Sequence, residues 1–327
     1  MTTRTVVAGA SGFVGRHLVP VLMESGREVW CGTRNPKLAR ECEPDKTWVH
    51  LDVEDEASLS TALQGADSLV YLVHQMRRDG GDLLESERQS ALRVRLAAER
   101  AGVRRVVYLG GPTPDGHVSH HLEARLETGR VLRSGDVSTI ELQAGMIIGV
   151  GSESWLIVRD LALRLPVMIL PSWLNRRSQP VGIHDVVRAI VASLELTDTG
   201  SRCLALPGPE VLTAREILER VASQVGIRPV MIPVPVLTPS LSSHWIRWVT
   251  RADYTIARQL VDGLTSDLIA GVESIWTQVP DLEPTGLDDV IAQTLAAEPV
   301  ADMPTVERYW ESVVQSVALR AKSRGAD

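Results

Sequence analysis

Residues 9–15, GASGFVG, have the composition and spacing of a phosphate cradle. An apolar run leads into them and a helix-forming run leads out, the setting in which a glycine turn grips a dinucleotide. Gly9 permits the tight turn, Gly12 lets the backbone approach a pyrophosphate, and Gly15 lets the next helix pack on its strand. Ser11, Phe13 and Val14 share the turn, where free N–H groups and the helix dipole hold phosphates. The second apolar run ends in Cys31, Gly32, Thr33 and Arg34. An NAD-selective site places Asp or Glu there for the ribose 2′-hydroxyl. No acid stands here, so Thr33 and Arg34 are assigned to the adenosine ribose, with Arg34 paired to a 2′-phosphate. That favours NADP, with NADPH as the reduced form, over NAD; the alternative is a solvated loop arginine. Asp52, followed by Val53, either accepts from an adenine amino group or caps the next turn. Leu72, Val73 and His74 end a fourth run, and Gly110 and Gly111 follow a fifth, which places all five beside the nicotinamide.

Proton chemistry has two histidine candidates. His121 and Arg125 are spaced i, i+4 and share one helix face. An unperturbed imidazole titrates near ~6.5 and could protonate a substrate oxygen, while Arg125 could hold a substrate anion or the cofactor ribose. The same pair could also be a surface His–Arg contact. His74, at a carboxyl strand end, is a second candidate or a satisfied loop histidine. His120 reads as exposed, and Asp185 beside His184 as a helix N-cap. Trp155 and Trp173, with Met146, are candidates for an apolar substrate wall. Core packing is the competing role, and the preferred one for Trp245 and Trp248, spaced i, i+3.

The elements that must position these groups alternate strand and helix. Strands are read at Arg4–Ala10, Glu28–Thr33, Trp48–Val53, Ser68–Val73, Arg105–Leu109 and Thr139–Gln143. Helices are read at Phe13–Ser25, Ala57–Leu63, Leu83–Ala101 and Ser119–Arg133. Such βαβ alternation with apolar strands predicts an α/β, Rossmann-type doubly wound parallel sheet. After Gly145 the rhythm breaks. Thr213 to Glu216 is a capping box opening a helix, and Pro233 and Pro235 confine 230–236 to an edge strand or extended segment. The domain reading is a core at 1–145, with 179–206 returning to it, and a smaller cap over 146–327.

Composition narrows the classes. The chain has 327 residues, 44% hydrophobic and 23% charged, which excludes a disordered or fibrous chain. Its net charge of −7 lacks the basic surplus of a nucleic-acid binder. Cys31, Cys42 and Cys203 form neither CxxC nor metal spacing, so no metal is expected and a reducing cytoplasm is the natural compartment. The N-terminus enters a strand directly, without the apolar stretch of a signal peptide. The segment 155–170 is too interrupted by charge and proline to span a bilayer.

Several strings beyond the glycine turn resemble the atypical, extended-like short-chain dehydrogenase/reductases of the NmrA and YbjT type. They are YLVH at 71–74, AGVRRVVYLG at 101–110, PGPEVLT at 207–213, and His121, Leu122, Arg125 and Glu127 on one helix. LPVM at 165–168, Gln179 with Pro180, and PVLTP at 235–239 fit as well. The likeness runs to about Leu295. It implies NAD(P) binding, with either oxidoreductase activity or a role as redox sensor or assembly factor. It also places Arg176 and Arg177 where relatives line the substrate cleft, suited to an acidic or phosphorylated substrate, or solvated.

Dehydrogenases of that superfamily use Ser, Tyr and Lys, the last two as Tyr-x3-Lys. None of the four tyrosines, at 71, 108, 254 and 309, has Lys four residues on. The serine position holds Gly110 and Gly111, and the helix position holds His121 and Arg125. Two glycines in place of serine are expected to leave room for a bulky substrate. The functional reading is an NADP-dependent oxidoreductase on a bulky apolar carbonyl, enone or quinone. Its alternatives are a non-catalytic NADP-binding sensor or assembly protein, as a homodimer or with a protein partner, and a nucleotide-sugar epimerase-like enzyme.

Overall fold

A computed structural model describes residues 3–74, 83–116, 118–165, 167–197, 199–234, 266–271 and 273–298. The first half runs β1 (Arg4–Ala8), α1 (Phe13–Glu24), β2 (Glu28–Thr33), α2 (Pro36–Cys42), β3 (Thr47–His50), α3 (Glu56–Leu63) and β4 (Ser68–Tyr71). It continues with α4 (Leu83–Ala101), β5 (Arg105–Gly110), α5 (His120–Arg133) and β6 (Ser138–Gln143). The second half runs β7 (Ile147–Ile148), α6 (Glu153–Arg164), β8 (Val167–Pro171), a 3-10 turn (Ser172–Asn175), β9 (Arg177–Ser178) and β10 (Val181–Gly182). After these come α7 (Ile183–Glu195), β11 (Arg202–Ala205), β12 (Leu212–Thr213), α8 (Ala214–Gln224), β13 (Val230–Val234), α9 (Ile275–Gln278) and α10 (Leu287–Ala297).

Seven strands form one sheet in the order β11-β6-β5-β4-β1-β2-β3, and every pairing in it is parallel. The chain winds outward from β1 through β2 to β3, then crosses to β4 on the other side of β1. Ligands bind outside the carboxyl ends at such a reversal. Both faces are covered, which is why the strands read as nearly continuous apolar runs. Val7, Val70, Val107 and Ile140 pack with α1 and α7 residues on one face. Val6, Leu69, Val106, Tyr71 and Tyr108 pack with residues of α3, α4 and α5 on the other. A third cluster joins α6, α8 and α10 through Trp155, Ala162, Ile217, Val221 and Ile291.

Local signals explain most boundaries, and four readings change. The Thr213–Glu216 capping box is formed as expected, and among the described residues β13, which contains Pro233, pairs only with β8. The third strand starts and ends earlier than read, at Thr47–His50. Helix α2 was not foreseen, although Asn35 caps it through Leu38 N–H and Pro36 sits at its first position. Strand β11 was also not read as a strand. Asp185 is not a cap: α7 begins at Ile183 with Gly182 at the N-cap. The Asp185 carboxylate, buried, accepts instead from Thr285 N–H and hydroxyl at 2.8 and 2.9 Å and pairs with Arg188. Among the described residues no helix is long and apolar enough to cross a membrane.

Candidate cofactor and substrate site

The glycine turn joins β1 to α1. Gly9 has φ +87°, a left-handed conformation, and a Cβ there would meet the Leu72 backbone at 3.2 Å. A Cβ on Gly15 would lie 2.5 Å from both the Gly9 and Ala10 carbonyl oxygens, so only glycine lets α1 approach the turn. Gly12 donates to the Gly9 carbonyl at 3.0 Å and is the N-cap of α1, with no side-chain cap bond. Ser11 and Gly12 are exposed, and Phe13 and Val14 are half-buried. An uncapped helix start behind a turn that needs glycine at 9 and 15 fits a dinucleotide pyrophosphate. Sequence reasoning missed Arg16, whose Nε donates to the Ser11 carbonyl at 2.8 Å and sets a guanidinium on the rim. Its only signal was its place directly after the third glycine.

The adenosine-side candidates stand at neighbouring strand ends. Arg34 is exposed just past Thr33, the last residue of β2. Leu51 N–H donates to the Thr33 carbonyl, which draws the residues before Asp52 beside Thr33. Asp52 Oδ1 accepts from Glu54 N–H at 3.0 Å, a turn-capping bond that leaves Oδ2 without an internal partner among the described residues. Val53 is buried with Leu59.

At the carboxyl end of β4, Leu72 packs toward the α1 face and Val73 toward the opposite face. His74 Nε2 lies 3.3 Å from the Leu109 carbonyl, and Arg125 Nη2 donates to the same oxygen at 3.2 Å. Tyr108 hydroxyl donates to the Arg125 carbonyl at 3.1 Å, and its ring lies 6.0 Å from the His74 ring. His74 Nδ1 and Arg125 Nε are buried without a hydrogen-bond partner among the described residues. Burial first, then the Arg125 charge, hold the His74 imidazole well below its usual 6.5. His74 is therefore neutral at pH 7, a poor acid, and its proton is committed to Leu109. His121, half-buried one turn before Arg125, acts electrostatically on His74. His120 is exposed, as expected.

A cavity of ≈440 Å³ opens beyond the carboxyl ends of β5, β6 and β11. Pro112, Gly145, Leu206, Pro207 and Leu268 supply apolar or small lining, and Thr113, Gln143 and Gln179 supply neutral polar groups. Gln143 is anchored from behind. Its Nε2 donates to the buried Glu141 at 3.2 Å, and Arg133 holds Glu141 at 2.8 Å. Thr113 hydroxyl donates to Gln143 Oε1 at 3.5 Å. Among the described residues, neither His74, His121 nor Arg125 lines this cavity.

The remaining candidates divide. Gly110 and Gly111 do not leave open room. A Cβ on Gly110 would meet Glu141 Oε1 at 2.9 Å, and one on Gly111 would meet Leu122 Cδ1 at 2.5 Å. Packing behind β5, rather than space for substrate, accounts for both glycines. Trp155 is 1% exposed in the α6–α8–α10 core, with Nε1 donating to Glu298 at 2.7 Å, and does not line the cavity. Met146 packs against that same core while its carbonyl accepts from Val181. Arg177 is bound to Asp267 at the cavity edge, and Arg176 is exposed beside it. The Trp173 side chain, Trp245, Trp248, Tyr254 and Tyr309 lie outside the described residues.

Residues 9–147 match an NAD(P)H-binding family. The chain is 28% identical over 292 residues to a 3-diazoavenalumate denitrifying reductase from a Streptomyces species, across 78% of this chain and 91% of that one. The fold resembles triphenylmethane reductase of a Citrobacter species complexed with NADP(H), at TM-score 0.69 and 16% identity, covering 89% of this chain and 99% of that one. It also resembles MoeE5 in complex with UDP-glucose and NAD, at TM-score 0.64 and 20% identity, covering 89% and 97%.

Proposed function

We propose, from the premise that residues 9–147 belong to an NAD(P)H-binding family, that the chain is an NADP(H)-dependent reductase of a bulky apolar carbonyl, enone or quinone. The observation that carries this reading is the cavity of ≈440 Å³ at the carboxyl ends of β5, β6 and β11, on the same edge of the sheet as the glycine turn. Its size is that of a small-molecule site. The coenzyme preference rests on exposed Arg34 and the absence of an acid at the end of β2. The reductase names and NADP(H) complex among the similar proteins support the same reading.

In this scheme residues 1–145, with 179–206, hold the coenzyme, and Pro207 with residues 267–271 closes the cavity from the later part of the chain. Bound NADPH supplies a hydride. The glycine turn holds the pyrophosphate, Arg34 the 2′-phosphate, and the end of β5 orients the nicotinamide. The Gln179 amide donates to the substrate oxygen, and His121 or water supplies the proton. Calorimetry with NADPH, followed by spectrophotometric NADPH oxidation against carbonyls and quinones, tests the proposal. Tight binding with turnover on one class supports it, and failure to bind NADPH removes it.

A second reading, an NADP-binding sensor or assembly protein in which a homodimer or partner contact carries the signal, is favoured by one observation. The histidine nearest the β4–β5 crevice is locked neutral onto a backbone carbonyl. NADPH binding without turnover across the panel would support it. An epimerase-like role is weaker, because neither described tyrosine is free in the crevice: Tyr71 and Tyr108 are both fully buried beneath the helices, with burial pushing both phenols up.

A further inference from the structure

We propose that the cavity at the β5, β6 and β11 ends selects a substrate without negative charge, and that Asp267 enforces this by occupying Arg177. The proposal rests on the reading of that cavity as the substrate site, and it narrows the substrate class.

Arg177 is the basic side chain that an acidic substrate would need. Its Nε and Nη2 both donate to Asp267 Oδ2, at 2.9 and 2.7 Å, and its backbone N–H donates to Oδ1 at 2.9 Å. The Asp267 side chain is only 16% exposed. Both carboxylate oxygens are thus held by one residue, and the Nε–Nη2 edge of the guanidinium, with its charge, is committed to Asp267, while its Nη1 side faces solvent. These bonds, the backbone one foremost, keep the Asp267 carboxyl below its ordinary range, so the pair persists at neutral pH.

The placement of Asp267 is built in. Residues 266–271 cross the cavity edge and are pinned to both walls. Asp115 N–H donates to the Asp267 carbonyl at 3.1 Å, Leu268 N–H to the Arg177 carbonyl at 2.8 Å, and Ala270 N–H to Gln179 Oε1 at 2.8 Å. The last bond fixes the Gln179 amide with its oxygen used and its NH2 left to donate.

The charged groups lining the cavity are Asp115 and Asp267, with no Lys, Arg or His among the described lining residues. An anion entering would leave water for a wall of like charge, with no cation in the lining itself to meet it. An uncharged carbonyl meets the Gln179 amide as donor. On this proposal phosphorylated, nucleotide-linked and carboxylate substrates are rejected, against the expectation that Arg177 serves an acidic substrate.

The test uses the full chain loaded with NADP+, so that binding is measured without turnover. Calorimetry compares naphthoquinone with naphthoquinone sulfonate, matched rings that differ by one negative charge. The wild type is expected to bind the neutral ring at least ~10-fold more tightly. Asp267→Ala, or Asp267→Asn should the alanine variant unfold, is expected to narrow that ratio by releasing Arg177. The further change Arg177→Gln is expected to restore it. Equal or tighter sulfonate binding by the wild type, an unchanged ratio in a folded Asp267 variant, or no binding of either ring would overturn the proposal. NADPH oxidation by the neutral quinone is measured separately. Binding without oxidation removes the reductase reading and leaves the charge selectivity standing.

Discussion

His74 and Arg125 meet at a single atom, both donating to the carbonyl oxygen of Leu109, at 3.3 and 3.2 Å. A carbonyl only accepts, so the His74 proton sits on Nε2, and Nδ1, buried, carries none. The guanidinium beside it and the loss of water both oppose a second proton.

This arrangement predicts a pH dependence of stability. The unfolded histidine titrates near 6.5 and the folded one well below. The group's contribution is fully present above that unfolded value and is lost as pH falls through the window down to the folded value. The loss approaches ~1.4 kcal/mol per pH unit within the window. Thermal unfolding between about pH 7.5 and about pH 5 should show a steeper fall for wild type than for His74→Gln. Parallel curves would show that His74 is not held neutral.

Coenzyme preference tests the end of β2. With Arg34 exposed past Thr33 and no acid nearby in the chain to grip a 2′-hydroxyl, NADPH is expected to bind at least ~10-fold more tightly than NADH. Arg34→Glu should reverse or abolish that preference. Gly12→Val should abolish binding of both, since its side chain would stand where the pyrophosphate lies. Calorimetry decides it, and equal NADH affinity in the wild type would refute the assignment.

His121→Phe tests the proton source. If His121 protonates the substrate oxygen, turnover should drop by ~100-fold or more with coenzyme affinity intact, and the pH profile of kcat should lose its histidine limb. Unchanged turnover on a confirmed substrate assigns the proton to water, in keeping with a cavity that His121 does not line.

How much of this was legible follows from which forces are local. The glycine turn, the βα alternation, the Thr213 capping box and the capped end of α4 are written in short-range chemistry, and the sequence shows them plainly. The doubly wound sheet follows from that alternation and the handedness of its crossovers. The cavity is different. It brings together residues near 113, 143, 179, 206 and 268, five segments whose meeting no spacing announces. Arg177 looked available for an anion because its partner, Asp267, lies 90 positions away. Trp155 resembled a substrate wall because a tryptophan in an apolar helix reads the same whether it faces a ligand or the core of α8 and α10.

Gly111→Ser tests the last of these long-range effects. The variant restores the residue type that the serine-using relatives carry, so a purely functional view expects no structural cost. The structure expects one. The new Cβ would lie 2.5 Å from Leu122 Cδ1 and 3.5 Å from Arg125 Nε. Leu122 is buried in the first turn of α5, its N–H held by the Ser119 cap, so it yields only by changing rotamer or by tilting that turn. Overpacking of this kind costs ~1–3 kcal/mol. Urea unfolding should show Gly111→Ser destabilised by that amount. The double variant with Leu122→Ala should be more stable than the two single losses add up to, because the alanine removes the clash. A Gly111→Ser protein as stable as wild type, or strictly additive losses, would show that Leu122 does not dictate the glycine.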